Sequence, residues 1–172
     1  MEFLSLAKQR CSVRKYKTDE IEKEKLDKIL EAARIAPTAA NAQSQRLLVI
    51  SSQEGKEKLS KGVNYHGAPL AIIVCGDHSD VFVRPFDKKD MVSVDATIVA
   101  DHIVLEAEDL GLSSCWLTYF DPEIIRNEFN IPSNLEPIAI IALGYADTEK
   151  ASPDRHSKDR KSLESLVCYE TF

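Results

Sequence analysis

Apolar residues recur along this chain in two rhythms, and the rhythms lay out its elements. Phe3, Leu6 and Ala7 share one helical face, so a short helix is expected over residues 3–9. Asp19, with Glu22 three positions on, reads as a capping box that opens a second helix. Leu26, Ile29, Leu30, Ala33 and Ala36 continue it as a 3.6-residue stripe, and Pro37 ends it. Leu47–Ile50 and Leu70–Cys75 are continuous apolar runs, expected as buried strands, with a short helix over Glu54–Ser60 between them. Residues 77–90 mix acids, bases and aromatics and read as a loop. Residues 91–110 form the clearest helix, stopped by Gly111. Ser113–Phe120 is expected as a strand. Asp121-Pro122 caps a helix running to about Phe129, and Ile138–Leu143 is the last core strand, ending at Gly144. After Ala146 the chain turns polar, with Leu163 and Leu166 as its few apolar anchors, a pattern expected to be disordered.

The helix over 91–110 changes the picture most. Met91, Val94, Ile98, Val99, Ile103, Val104, Leu105, Ala107 and Leu110 surround it almost completely. Such a helix is buried on more than one side. One domain of 172 residues, with no linker or repeat to divide it, offers few such surfaces, so a partner subunit is expected. Asp95, Asp101, His102 and Glu106 on this helix read as structural or interfacial. No glycine-rich phosphate loop follows any strand, which argues against a standard dinucleotide or nucleoside-triphosphate site.

Charge and cysteine usage then exclude further classes. The net charge of −6 argues against nucleic acid as the partner. No apolar run is long enough for a membrane span, and the N-terminus lacks a signal layout, so a cytoplasmic protein is expected. Cys11, Cys75, Cys115 and Cys168 form no Cys-x-x-Cys pair, and the four histidines show no ligand spacing, so no metal site is expected.

Against that acidic background, Arg10-Cys11-Ser12-Val13-Arg14-Lys15-Tyr16 concentrates positive charge. Either it is a solvated basic surface or it holds an anionic ligand. Pro37 to Gln45 is small and polar. Its small side chains let backbone approach a flat ligand, and its amides offer donors and acceptors. Taken alone, it reads as an ordinary polar loop. Lys158 and Arg160 form a second basic pole in the tail.

Five segments in order carry a resemblance: Arg10-x-Ser12-x-Arg14-x-Tyr16, Pro37-Thr38-Ala39-x-Asn41-x-Gln43, Gly111-Leu112-x-x-Cys115-Trp116-Leu117, Ile140-x-x-x-Gly144-Tyr145 and Lys158-x-Arg160. Together they resemble the FMN-dependent nitroreductase family, especially its short single-domain members, over nearly the whole of 1–172. The resemblance implies an α+β fold with a mixed, largely antiparallel sheet flanked by helices. It also implies an intertwined homodimer with FMN at the interface, and NADH or NADPH as the electron donor. By the same resemblance Arg10 meets the FMN phosphate, with Cys11 beside it, and Ser12 the phosphate or ribityl oxygens. Arg14 faces the ring edge where charge gathers on reduction. Thr38, Ala39 and Asn41 line the flavin from the other subunit, and Pro37 and Gln43 of the same motif are further cofactor-binding candidates. Backbone around Trp116, Leu117 and Thr118 approaches the ring near N5, Asn64 is a weaker candidate for its polar edge, and Lys158 and Arg160 return to the phosphate. Two departures stand out. Cys11 replaces a frequent Arg or His, and Ser44-Gln45 replaces a frequent Pro-Trp, which leaves the substrate pocket's shape open.

The function implied is two-electron reduction of nitroaromatic, quinone or similar acceptors, donor and acceptor using one site in turn. The cofactor carries that chemistry, so no catalytic acid or base is assigned. A flavin carrier or sensor without turnover would use the same residues. A plain interaction domain would use the basic stretch alone.

Overall fold

The computed structural model describes residues 2–172. Four strands form one antiparallel sheet: β1 (Gln45–Ile50), β2 (Leu70–Asp77), β3 (Ser113–Leu117) and β4 (Leu135–Gly144), in the spatial order β1-β2-β4-β3. Alternation along the strands feeds two cores. Ile73, Cys75, Cys115, Leu117, Ile140 and Ala142 face one side, where Leu59 of α3 (Gln53–Gly62) and Ile125 of α5 (Pro122–Glu128) cover them. Ile72, Val74, Ile141 and Leu143 face the other, against α2 (Lys23–Ile35) and α4 (Val92–Asp109). Both faces of β2 are therefore buried along its length, which is why it reads as an unbroken apolar run.

The expected elements are all present, with informative shifts. The α2 helix starts at Lys23, not Asp19, and Glu22 caps it without a side-chain bond. The Glu22 carboxylate instead accepts the Tyr145 hydroxyl at 2.6 Å, and Tyr145 in turn accepts Lys25 Nζ at 2.6 Å. That tertiary network takes the group the capping box needed. The β4 strand begins earlier than expected because its first residues pair with the end of β2. The register slips between Val74 and Cys75, opposite Ala139 and Pro137. A bulge there accommodates a proline that cannot donate to the ladder. The β3 strand ends at Leu117, so Thr118–Phe120 lie outside it.

The N-terminal helix α1 (Phe3–Gln9) leads into an extended segment that runs beside β3. Ser12 bridges Ser114 in parallel and Tyr16 bridges Ala146 antiparallel, so among the described residues the parallel contribution to the sheet is this one contact. Tyr16 packs at Gly144, where an added Cβ would come within 2.6 Å of Pro69 Cδ and 3.0 Å of Tyr16 Cδ1. The tail is not shapeless. It makes a 3-10 turn at Pro153–Arg155, a helical turn α6 (His156–Asp159) and another 3-10 turn at Leu163–Ser165. Leu163 and Leu166, expected as anchors, are exposed. No helix among the described residues is long and apolar enough to cross a membrane.

Candidate functional site

The extended segment after α1 sorts its side chains by parity. Cys11 and Val13 point into the core beneath the sheet, while Ser12 and Arg14 are exposed and Arg10 is half-buried. Arg10, Ser12 and Arg14 thus share the outward side, as alternate residues of an extended chain must. The Cys11 thiol is packed among apolar residues, so its backbone is the part left for a ligand. Lys15, Lys23, Arg34, Arg46, Lys58, Lys61, Arg84 and Lys150 are all ion-paired. Among the described residues no carboxylate pairs with Arg10, Arg14, Lys158 or Arg160.

Two other segments close on this one. The turn after α3 places His66, at φ +60, where the Arg14 charge acts on it; burial first, and then Arg14, holds its pKa below the ordinary value. Asn64 lies in the same turn, and its Oδ1 accepts the His66 N–H at 3.0 Å. The Cys115 thiol of β3 is pushed up by burial, against the opposing pull of Arg14, the Ser12 hydroxyl and Arg10. At the end of β3, Trp116 packs toward α4 and Leu117 into the opposite core, leaving backbone and the exposed Thr118 facing out. Beyond them Tyr119 is 98% exposed, beside a hollow of about 580 Å³ also lined by Asn64, Phe120 and Asp121.

The tail reaches the same corner through Arg155, a residue the sequence reading passed over. Its guanidinium donates to the carbonyls of Arg10 at 2.7 Å and Lys8 at 3.2 Å. His156 Nε2 lies 3.2 Å from the Lys8 carbonyl, and Arg160 Nε donates to His156 Nδ1 at 3.4 Å. Arg155 and His156 therefore dock the tail at the end of α1, beside Arg10, and Arg160 is tied to them through His156. The signal for Arg155 was weak: one arginine in a polar run, with no periodicity to mark it as an anchor.

The small polar loop lies elsewhere. Thr38 Oγ1 accepts the Gln43 N–H at 3.0 Å, and Gln43 Nε2 donates to the Asn41 carbonyl at 3.2 Å. Pro37, Asn41 and Gln43 are exposed, while Thr38 and Ala39 are half-buried. This loop enters β1 at Gln45, which stands level with Gly76 and Glu136, whereas Ser12 meets Ser114, level with Leu143 at the far end of β4. At about 4.8 Å per strand and 3.4 Å per residue, the two corners lie roughly 25 Å or more apart. A single chain therefore does not bring Thr38–Gln43 to Arg10–Arg14.

The α4 helix spans that distance. Its start holds the loop, through Asp95 and Ala39, and its end leads through Gly111 to Ser113 and Ser114. Its outer face carries Val94, Ile98 and Leu105 at helical spacing, exposed or half-buried. Beside it Phe3, Leu6, Ala32 and Ile35 line a groove of about 490 Å³. Ile35 is 63% exposed and Phe3 62%.

The family model for "Nitroreductase family" matches residues 7–64 and 61–145. A protein of Methanothermobacter thermautotrophicus, provisionally named an NADH dehydrogenase/NAD(P)H nitroreductase, is 34% identical over 172 residues, covering 95% of this chain and 87% of its own. Among solved structures, a nitroreductase family protein of Clostridium difficile 630 superposes with a TM-score of 0.98 at 53% identity, covering all of both chains. An FMN-dependent nitroreductase of Clostridium difficile R20291 superposes with a TM-score of 0.79 at 35% identity, covering 98% of this chain and 99% of its own.

Proposed function

The chain belongs to the nitroreductase family, and from that premise we propose that it is an FMN-dependent oxidoreductase driven by NADH or NADPH. Its acceptors are nitroaromatics, quinones or similar small molecules. Donor and acceptor occupy the site in turn. Bound FMN supplies the two-electron chemistry.

The chain's own residues have separate tasks. Arg10 binds the phosphate, where a guanidinium can make two parallel bonds, and Lys158 and Arg160 add charge from the docked tail. Ser12 donates to phosphate or ribityl oxygens. Arg14 faces the ring edge on which negative charge collects during reduction and stabilises that charge. Asn64 contributes to the ring's polar edge, and backbone at Trp116–Thr118 approaches the opposite edge. Pro37, Thr38, Ala39, Asn41 and Gln43 of a second copy form the flat wall.

One observation carries this reading: outward-facing Arg10, Ser12 and Arg14, uncommitted to any carboxylate, sit at one corner of the sheet while the small loop sits at the opposite corner. A two-fold pairing through the apolar face of α4 sets the start of one α4 beside the end of the other. It thereby delivers each loop to the partner's basic segment. The donor set suits FMN, since it offers cations for a dianion, a hydroxyl for the ribityl chain and small residues for a planar ring.

The purified protein reconstituted with FMN tests the reading through its visible spectrum. Flavin absorbance that bleaches anaerobically with NADH or NADPH, and returns on adding a nitroaromatic or quinone, supports it. A protein that stays colourless contradicts it. Flavin binding without NAD(P)H oxidation makes the protein a carrier instead.

A further inference from the structure

Asp95 is a wholly buried carboxylate in the first turn of α4, and none of the tasks above uses it. One of its oxygens accepts the Ala39 N–H at 2.9 Å, and the other has no hydrogen-bond partner among the described residues. A carboxylate with an idle oxygen in a dry site is costly, and a neutral acceptor would satisfy one N–H. The start of α4 offsets part of that cost through the helix dipole, and the charge makes the bond to Ala39 stronger than a neutral one.

The loop it holds needs a strong tether. Ala40, Asn41 and Gln43 have φ of +53°, +55° and +55°, a region that residues with a Cβ avoid. The turn's internal bonds, Asn41 N–H to Thr38 at 2.9 Å and Ala42 N–H to Ala39 at 3.1 Å, fix its shape but not its place. Ala40, Asn41 and Gln43 are exposed and bring no core of their own. The bond from Ala39 to Asp95 ties the turn to the helix that spans the molecule.

We propose that Asp95 is a positioning residue: by fixing the Ala39 N–H it holds the Thr38–Gln43 turn where it can act as the wall of the flavin site. This rests on the FMN reading above. Thr38 is extended, with φ −131° and ψ 155°, and Ala39 opens the turn. The extended backbone of Thr38 tolerates a following proline, so Ala39→Pro removes the N–H; because Ala39 also lines the wall, the comparison that isolates the tether is the double variant with Asp95→Ala.

The experiment is an FMN titration by fluorescence quenching, run well below each variant's thermal midpoint. Asp95→Ala weakens FMN binding about tenfold or more, the scale of a lost charge-assisted hydrogen bond. Ala39→Pro does the same, and the double variant is no worse than either single one. Asp95→Asn, which keeps an acceptor in the same shape, restores affinity to within about threefold of wild type. Leu59→Ala, in the core on the other side of the sheet, lowers the midpoint without changing affinity. If Asp95→Ala fails to fold, Ala39→Pro and Asp95→Asn decide alone. Wild-type affinity in Ala39→Pro, or no recovery in Asp95→Asn, overturns the assignment. So does an equal loss of affinity in Leu59→Ala. A wild-type protein that binds no FMN overturns the cofactor reading itself, and is told apart by that control.

Discussion

Ser12 meets Ser114 in a parallel bridge, and the next residue, Val13, donates its N–H to the Ser114 carbonyl at 3.0 Å. This one register decides which side chains of the basic segment are available. It buries Cys11 and Val13 and turns Ser12 and Arg14 outward. A slip of one residue would exchange the two sets.

The first prediction separates the two arginines. Arg10→Ala weakens FMN binding about tenfold to a hundredfold, the range for a lost charge-assisted contact, and leaves the reduction potential of bound FMN near that of wild type. Arg14→Ala also lowers that potential, by about 30 mV or more, the two-electron equivalent of a tenfold loss in relative stabilisation of the reduced form. Spectroelectrochemistry on the two variants measures this, and equal potentials in wild type and Arg14→Ala would sink the division of labour.

The packing beneath the segment gives the second. Gly144 leaves no room for a Cβ against the Pro69 ring and Tyr16. Gly144→Ala therefore costs about 1–3 kcal/mol of stability, as overpacking does. Because Tyr16 closes the basic segment, the change also loosens the site. Urea unfolding and FMN titration on one sample should show both losses. Unchanged stability would mean that the close approach relaxes freely.

A third concerns pH and residues 78–90. His78 Nε2 lies 2.7 Å from Glu136 of β4, and its Nδ1 lies 3.2 Å from Asp90. The bond to Glu136 first, and Asp90 after it, raise the His78 pKa. Nearby Asp77 is held down to about 2, chiefly by hydrogen bonds from Ser79 and Asn134, with Arg46 adding to them; Arg46 also pairs with Asp80 at 3.6 Å. A raised histidine stabilises the fold below its ordinary pKa, and that stabilisation is lost as pH rises through the raised value. The midpoint difference between wild type and His78→Gln is therefore largest below the ordinary histidine pKa of about 6.5 and fades as pH rises above it. A difference that grows with pH would contradict the ion-pair assignment.

The sequence made some of this legible and hid the rest for physical reasons. Strand β2 was readable because burial on both faces leaves an unbroken apolar run, and helix α4 because apolar residues surround it almost completely. The α2 start was misplaced because Tyr145, distant in sequence, takes the Glu22 carboxylate. Cys11 entered the candidate set because a motif does not state parity, and only the Ser12–Ser114 register supplies it. Arg155 was missed because it acts through a contact far along the chain, on the Arg10 carbonyl. The fold class was legible, and so was the concentration of charge over Arg10–Tyr16. Its separation from the Thr38–Gln43 loop was implied only by the resemblance, since it depends on strand order.

That separation is where the account is most exposed, and complementation between two defective variants tests it most directly. One variant carries Arg10→Ala and Arg14→Ala; the other carries Asn41→Trp, which blocks the wall. Each alone loses FMN and NAD(P)H oxidation. Co-expressed with different tags and purified through both, the mixed dimer pairs the intact segment of one chain with the intact loop of the other at one of its two sites. About half the wild-type FMN content and activity should return. A mixed dimer as empty as its parents would show that each site is built within one chain, and would contradict the account.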